Sequence, residues 1–519
     1  MSGRARHTAR GNRRRGTHRM VRAATLSVLL GLSTLTIPSV SAQPAPEKSQ
    51  AEDQNQDQPH QFVTRPDLRP PRITVRTPAQ GTAPGSVFLS PKTDTLSLEP
   101  ALPQGGPEIV DDQGQPVWFG KRGDGMLIRT AALQPQTYQG KPVLTWWEGL
   151  PVQVDELGNP VFGNWVVMDQ SYRVIARVRP GKGLPFSDMH DMKITPQNTA
   201  LILVYKQTLR KIGNVIQPVI DNVIQEIDIK SGRVLMNWSS LDHIGIPESY
   251  FPRKNLVPYH YLHLNSLTLD DDGNILVSGR HTSTVYKIDR HTGKVLWRLG
   301  GKKSDFTLGK GAAFAWQHDV SRERDGTLSM FDNTAITTGK EGGEKRSRGL
   351  VLDVDEQKKT ATLKHEYLSP DGLQSGTQGS MQVLPNGNAF VGWGTHGYFT
   401  EFSPKGQVRF NASFAKDRVN SYRAFRFPWR GKPEDRPAVA GRGEGGGTTA
   451  YASWNGATDV ASWRFLAGPS PTALKEVKEV PKKGFETSAG LGRNEAYVAV
   501  QALDAKGGVL RTSAPAAVR

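Results

Sequence analysis

The sequence predicts an all-β chain, and three observations carry that prediction. Short apolar runs alternate with period two. Asp-Gly and Asn-Gly turns punctuate them, as in "DDDGNILVSG", "ERDGTLSMFDN" and "LPNGNAFVGW". No long stretch shows helical periodicity. Between residues 107 and 430 one theme recurs, irregularly, about every fifty residues: a turn, an apolar strand, a strand ending in Asp, a further turn, and a strand ending near Trp. Because no linker composition separates these repeats, they predict a six-bladed β-propeller of four-stranded sheets ahead of an array of β-sandwiches.

Taken in order, residues 1–42 read as a signal peptide. "MSGRARHTARGNRRRGTHRMVR" holds eight arginines and no acid, a short apolar run follows, and "SVSAQPA" offers a cleavage site after Ala42. The expectation is a secreted, extracellular protein with no stable membrane insertion once the leader is removed. Residues 43–70, rich in Pro and Gln, read as a disordered spacer, with an extended arm docking on the main domain from "FVTRPDLRPPRITV" onward. The propeller is expected over 71–430. Residues 431–448, containing "PEDRPAVAGRGEGGG", read as a Gly/Pro-rich linker, and the short strands of 449–519 as a small immunoglobulin- or fibronectin-like β-sandwich.

Composition narrows the function. The formal net charge of +17 falls to +9 once the eight leader arginines are gone, and the remaining Lys and Arg are spread among nearly as many acids. Nucleic-acid binders cluster their cations among exposed aromatics, so no nucleic-acid partner is expected. The chain of 519 residues contains no cysteine, which excludes a disulfide framework, a zinc-thiolate or iron–sulfur site and a thiol nucleophile.

Histidines supply the candidate site. Aligning the repeats on their turns brings "SDMHDMKITPQN", "YLHLNSLTLDDDG" and "AWQHDVSRERDG" into register at the entrance to a strand. His190, His263 and His318 are thereby contributed by successive blades at one height, with Arg280 returning from the next strand, so that all four can share the mouth of a central channel. His281 is ambiguous, because neighbouring strand residues face opposite ways. His243, His260, His291, His365 and His396 are expected to be structural or exposed.

These stretches also resemble a family. "HLNSLTLDDDGNILVSGRHTSTVYKID", "FAWQHDV", "GSMQVLPNGNAFVGWG" and "SYRAFRFPW" are similar to the arylsulfotransferases that act without a nucleotide sulfate donor, in the secreted bacterial and fungal branch, over about residues 60–430. The resemblance implies a six-bladed propeller that uses no cofactor and no metal, and transfer of a sulfuryl group from a phenolic sulfate to a phenol through a sulfated histidine. It places the nucleophile on His318, with His190, His263 and Arg280 as companions. The better studied enterobacterial branch carries an amino-terminal sandwich and a disulfide, which this chain lacks.

The chemistry suits those residue types. A neutral imidazole can accept and pass on a sulfuryl group. A guanidinium offers a permanent planar fork to the oxygens, and a second imidazole can shuttle the phenolic proton. Asn265 and Asp319 are candidates for fixing an imidazole tautomer or orienting substrate. Two other classes stay open at this stage: a non-catalytic secreted binding module, and an enzyme using a metal held by the three imidazoles.

Overall fold

The computed structural model describes residues 58–93, 103–120, 128–150, 162–253, 257–334, 346–415 and 418–519. The expected signal peptide, and the spacer up to residue 57, lie outside the described residues. Among the described residues the chain forms 36 strands and four single-turn 3-10 helices.

Six sheets of four or five strands follow one another. Sheet 1 runs through Arg129–Tyr138, Lys141–Leu150, Phe162–Met168 and Val174–Val178. Sheet 2 runs through Met192–Ile194, Thr199–Ile212, Val215–Asp228 and Val234–Ser239. Sheet 3 comprises Leu264–Leu269, Ile275–Gly279, Thr284–Ile288 and Val295–Gly300. Sheet 4 comprises His318–Arg322, Leu328–Asp332, Arg348–Asp355 and Thr360–Leu368, with Thr307–Leu308 on its edge. Sheet 5 comprises Ser380–Val383, Ala389–Gly392, Tyr398–Phe402 and Val408–Phe414, with Ile73–Thr77 as its last strand. Sheet 6 joins the two halves of the chain: Phe425–Phe427 pairs with Ser86–Leu89, which continues into Glu108–Val110 and Pro116–Phe119.

Each sheet buries both faces, which is why strands such as Ile275–Gly279 read as continuous apolar runs. The pleat divides the side chains: Ala200, Ile202 and Val204 pack toward sheet 1, whereas Leu201 and Leu203 pack toward sheet 3. Equivalent apolar layers lie between sheets 3 and 4, 4 and 5, and 5 and 6, and a last one, with Phe88, Ile109 and Trp118 against Leu133, Trp146 and Val166, joins sheet 6 back to sheet 1. Burying one such Leu or Phe side chain contributes about 1.5–3 kcal/mol.

Side chains on the first strands tie neighbouring sheets together. Gln136 bonds the main chain of Met192 and Ile194. Asp191 accepts from Leu267 N, Ser266 from Val320 N, and Asp319 from Met381 N, each at 3.1 Å. Ser380 Oγ donates to Ala424 O at 2.8 Å, and Ser90 Oγ accepts from Leu133 N at 3.2 Å.

Residues 438–517 add two further sheets that share a buried cluster around Trp463, Phe465, Val498 and Val500. Two sequence expectations need correcting here. Much of the expected linker 431–448 is a hairpin: Ala438–Glu444 pairs with Gly447–Ser453 through a turn at Gly445 and Gly446, whose φ of 57° and 87° favour glycine. The glycine run makes a tight strand reversal, not a hinge. The bound of 70 for the spacer also gives way to the docked arm expected from Phe62 onward, because His60, Phe62 and Leu68 are buried and Phe62 packs on Phe485 with centroids 4.3 Å apart. Phe62 and Leu68 supply the apolar surface that anchors this otherwise polar stretch, and Glu486 accepts from Val63 N and Thr64 N.

Candidate functional site

The first strands of sheets 2, 3 and 4 begin at the candidate histidines. His190 lies two residues before Met192–Ile194, His263 immediately precedes Leu264–Leu269, and His318 opens His318–Arg322. His263 and Asp319 adopt left-handed backbone, each at φ 55°; Asp319 lies in the bulge between His318 and Ser321, and His263 just before the one between Leu264 and Ser266. That conformation is disfavoured for side chains of this size and persists only where the surroundings enforce it.

His318 is held from both nitrogens. Its Nδ1 lies 2.7 Å from Asn333 Oδ1. The orientation of the Asn333 amide is set because Nδ2 donates to Ser375 O at 2.8 Å and Gln378 O at 3.0 Å. Nδ1 therefore carries the proton, a tautomer assigned from this network. Nε2 is left as the acceptor, and the Gln378 amide donates to it at 3.3 Å. Burial pushes the imidazole well below its usual pKa and the Arg280 charge pushes the same way, with Asn333 opposing them. The result is a neutral ring with its lone pair on Nε2.

Arg280 and His281 begin a 3-10 turn that follows Ile275–Gly279. The turn, unlike a strand, brings both side chains into the cluster. Arg280 Nη1 donates to His281 Nε2 at 2.8 Å, Nη2 donates to Gly376 O at 3.1 Å, and the guanidinium lies 4.7 Å from the Trp316 ring centroid. His281 in turn bonds His260 O through Nδ1 and stacks on Phe251 at 4.2 Å. It orients the arginine.

His190 and His263 meet directly, Nε2 to Nε2, at 3.2 Å. At that distance one ring donates an N–H to the other. Asp188 Oδ1 lies 2.6 Å from His190 Nδ1, and Tyr205 Oη approaches the same nitrogen at 3.2 Å while donating to Leu264 O. The Tyr422 ring is 5.4 Å from that of His190 and 6.3 Å from that of His318. His260, His263 and His281 are all pushed well below the usual imidazole range, by burial first and by neighbouring charges second. Among the described residues no group of three or more His, Asp or Glu side chains is arranged to hold a metal ion.

Two orienting candidates do something else. Asp319 reaches no imidazole; it accepts from Met381 N and pairs with Arg423 at 3.2 Å. Asn265 Nδ2 donates to Gln317 O, and its main-chain oxygen accepts from Tyr422 Oη and Arg423 Nη2. Asp191 completes the set, 3.1 Å from Arg423 Nη1. Asp191, Asp319 and the main-chain oxygen of Asn265 are thus gathered on one buried guanidinium. Burial opposes the charge of Arg423, but Asp191 and Asp319 outweigh it and hold the guanidinium above its ordinary pKa. Burial pushes Asp319 up, with Arg423 offsetting part of the effect.

Of the two alternatives expected for His260, structural or exposed, the structure shows the first. It is buried, with its ring 4.4 Å from those of both His263 and Tyr205.

With this geometry in place the chain can be compared with known proteins. The profile of the arylsulfotransferase (ASST) family matches residues 134–415, more than half of the sequence. The chain belongs to the arylsulfotransferase family. No curated protein matches it. Among solved structures, a protein of unknown function from Bacteroides caccae is 13% identical with a TM-score of 0.40, covering 66% of this chain and 100% of that one. An inactive virginiamycin B lyase from Staphylococcus aureus, solved with quinupristin, is 10% identical with a TM-score of 0.29, covering 72% of this chain and 96% of that one. At such scores neither carries an argument about this chain.

Proposed function

We propose that the chain is a secreted aryl-sulfate sulfotransferase, built as a six-bladed β-propeller with a C-terminal immunoglobulin- or fibronectin-like β-sandwich. Its small-molecule partners are phenolic sulfates and phenols, and no nucleotide donor takes part. Six mutually packed sheets, the last joined to the first, support the propeller reading, and the basic, apolar leader supports export.

One observation carries the mechanism: His318 is buried, neutral, and fixed as the Nδ1–H tautomer by Asn333, so Nε2 is the nucleophile. Nε2 gives up the long bond from the Gln378 N–H and attacks sulfur, the bond from sulfur to the phenolic oxygen breaks, and the sulfuryl group stays on the ring. The departing phenolate takes the Nε2 proton of His190, which enters the step as an imidazolium paired through Nδ1–H with Asp188 and leaves it neutral, with His263 on the same nitrogen. Arg280, held by His281, Gly376 and Trp316, faces the charge spread over the sulfuryl oxygens of a loose transition state. In the second half an incoming phenol returns its proton to the histidine pair and attacks sulfur, and the N–S bond breaks. Asn333 keeps its bond to Nδ1–H throughout and so stabilises the cationic sulfated ring.

The test is an assay of purified mature protein with a chromogenic aryl sulfate, with and without an added phenol. Release of the chromophore should be strongly stimulated by the acceptor and need no nucleotide. Release indifferent to every acceptor would indicate a hydrolase, and no release would favour a binding module. Loss of activity to a chelator, restored by one divalent ion, would overturn the metal-free mechanism.

A further inference from the structure

Arg423 holds in sheet 6 the place that the histidines hold in sheets 2 to 4. It lies two residues before Phe425–Phe427, the end strand of that sheet, as His190 lies two residues before Met192–Ile194. The backbone on either side is tied to sheet 5, since Gly379 N donates to Tyr422 O at 3.0 Å and Ser380 Oγ donates to Ala424 O at 2.8 Å. From this anchored position the side chain reaches three other sheets.

Its guanidinium is fully buried, and each of its partners adjoins a histidine of the site. Nη1 lies 3.1 Å from Asp191 Oδ2 and 3.2 Å from Asp319 Oδ1, and Nη2 donates to Asn265 O at 3.0 Å. Asp191 directly follows His190, Asp319 directly follows His318, and Asn265 comes two residues after His263. The two carboxylates also accept from Leu267 N and Met381 N, so neither can swing without breaking a bond to the next sheet. Neutralising two acids asks only for a cation nearby. The bond to Asn265 O neutralises nothing, and it ties the third histidine's strand to the other two. Catalytic groups need this, because a displacement of about 1 Å can cost about 100-fold in rate.

We propose that Arg423 is a positioning residue for sulfuryl transfer: it touches no reacting atom and fixes the spacing of His190, His263 and His318 through Asp191, Asn265 and Asp319. The inference rests on the sulfuryl-transfer reading given above, and its test separates the two.

The experiment removes the ionic links without stranding a charge. The Asp191→Asn, Asp319→Asn, Arg423→Met triple variant of the full mature chain has no buried carboxylate left to pair, so it should fold and melt well above Arg423→Met alone. Both asparagines still offer an oxygen to Leu267 N and Met381 N. With a chromogenic aryl sulfate and an acceptor phenol, its kcat should nevertheless stay about 10- to 100-fold below wild type, with KM within about threefold. Turnover that returns with stability to within about threefold of wild type would make Arg423 a counter-charge only and overturn the proposal. Should the triple variant not fold, Arg423→Lys decides, since it keeps the charge and loses the planar fork: kcat about 10-fold lower at unchanged KM supports the proposal, and a wild-type kcat refutes it. If the wild type turns over no aryl sulfate, the sulfuryl-transfer reading fails, and the spacing of the rings is still measurable by magnetic resonance of isotope-labelled histidines. The imidazole N–H signals of the His190–His263 and His318–Asn333 bonds should shift or vanish in the folded variant, and unchanged signals refute the positioning role.

Discussion

Asn333→Leu isolates the tautomer lock on His318. The substitution keeps the side chain's size but removes the acceptor at 2.7 Å from Nδ1 and the two bonds to Ser375 O and Gln378 O. A hydrogen bond to a neutral group contributes about 0.5–1.5 kcal/mol and one to a charged group about 1.5–3 kcal/mol. The ring is neutral before attack and cationic after it, so the loss specific to the reaction is about 1–2 kcal/mol. Freed of Asn333, the ring can also place its proton on Nε2, where it blocks attack. Together these should slow cleavage of the donor about 10- to 100-fold. The assay is rapid mixing with donor alone, following the first release of phenol, with circular dichroism and the melting temperature as controls for folding. A folded Asn333→Leu protein that releases the first phenol within about twofold of the wild-type rate would refute the lock, because no bond of that strength could then have been lost from the step.

Further outcomes follow from the same contacts. Arg280→Ala should cost about two to three powers of ten in turnover while leaving slow adduct formation possible. Arg280→Lys should restore little of it, since an ammonium cannot bond His281 and Gly376 while presenting a planar fork; steady-state kinetics of both variants check this. His260, His263, His281 and His318 all have folded pKa values well below the ordinary imidazole value near 6.5. Their contribution to stability is therefore present above that value and lost as the pH falls, at about 1.4 kcal/mol per pH unit for each ring. Denaturant titrations should show stability falling from pH 6 to pH 5, and a flat profile there would contradict the buried, neutral cluster. Arg423→Met would leave Asp319 without its paired guanidinium and Asp191 with only Lys193, at 3.7 Å, and should destabilise the fold by about 3–5 kcal/mol in urea unfolding at pH 7.5.

Residues repeated in the sequence were legible and their partners were not. The strand entrances carrying His190, His263 and His318 could be aligned because each follows a recurring turn grammar. Asn333 follows the strand that pairs with His318, so a hairpin connects the two, whereas the Ser375–Gln378 segment comes from another part of the chain and no local spacing connects it to His318. Alternation misleads at Arg280 and His281, since the strand ends at Gly279 and a 3-10 turn replaces it. At Asp319 the sequence shows a polar residue close to a histidine but not the left-handed bulge at which it turns to Arg423, and at Asn265 it does not show that the side chain goes to Gln317 O while the main-chain oxygen meets Arg423. His260 had a visible signal in "YHYLHL", a second imidazole three residues before His263, although its direction could not be read. Glycines 445 and 446 look like a hinge in composition and form a hairpin turn, because the flanking residues can pair.

Intact-protein mass spectrometry after mixing with donor alone, quenched at alkaline pH and followed by peptide mapping, tests the central claim most directly. The expected result is a gain of one sulfuryl group, mapped to His318, absent in His318→Ala, and discharged when a phenol is added. An adduct on His190 or His263, or turnover retained in His318→Ala, would contradict it.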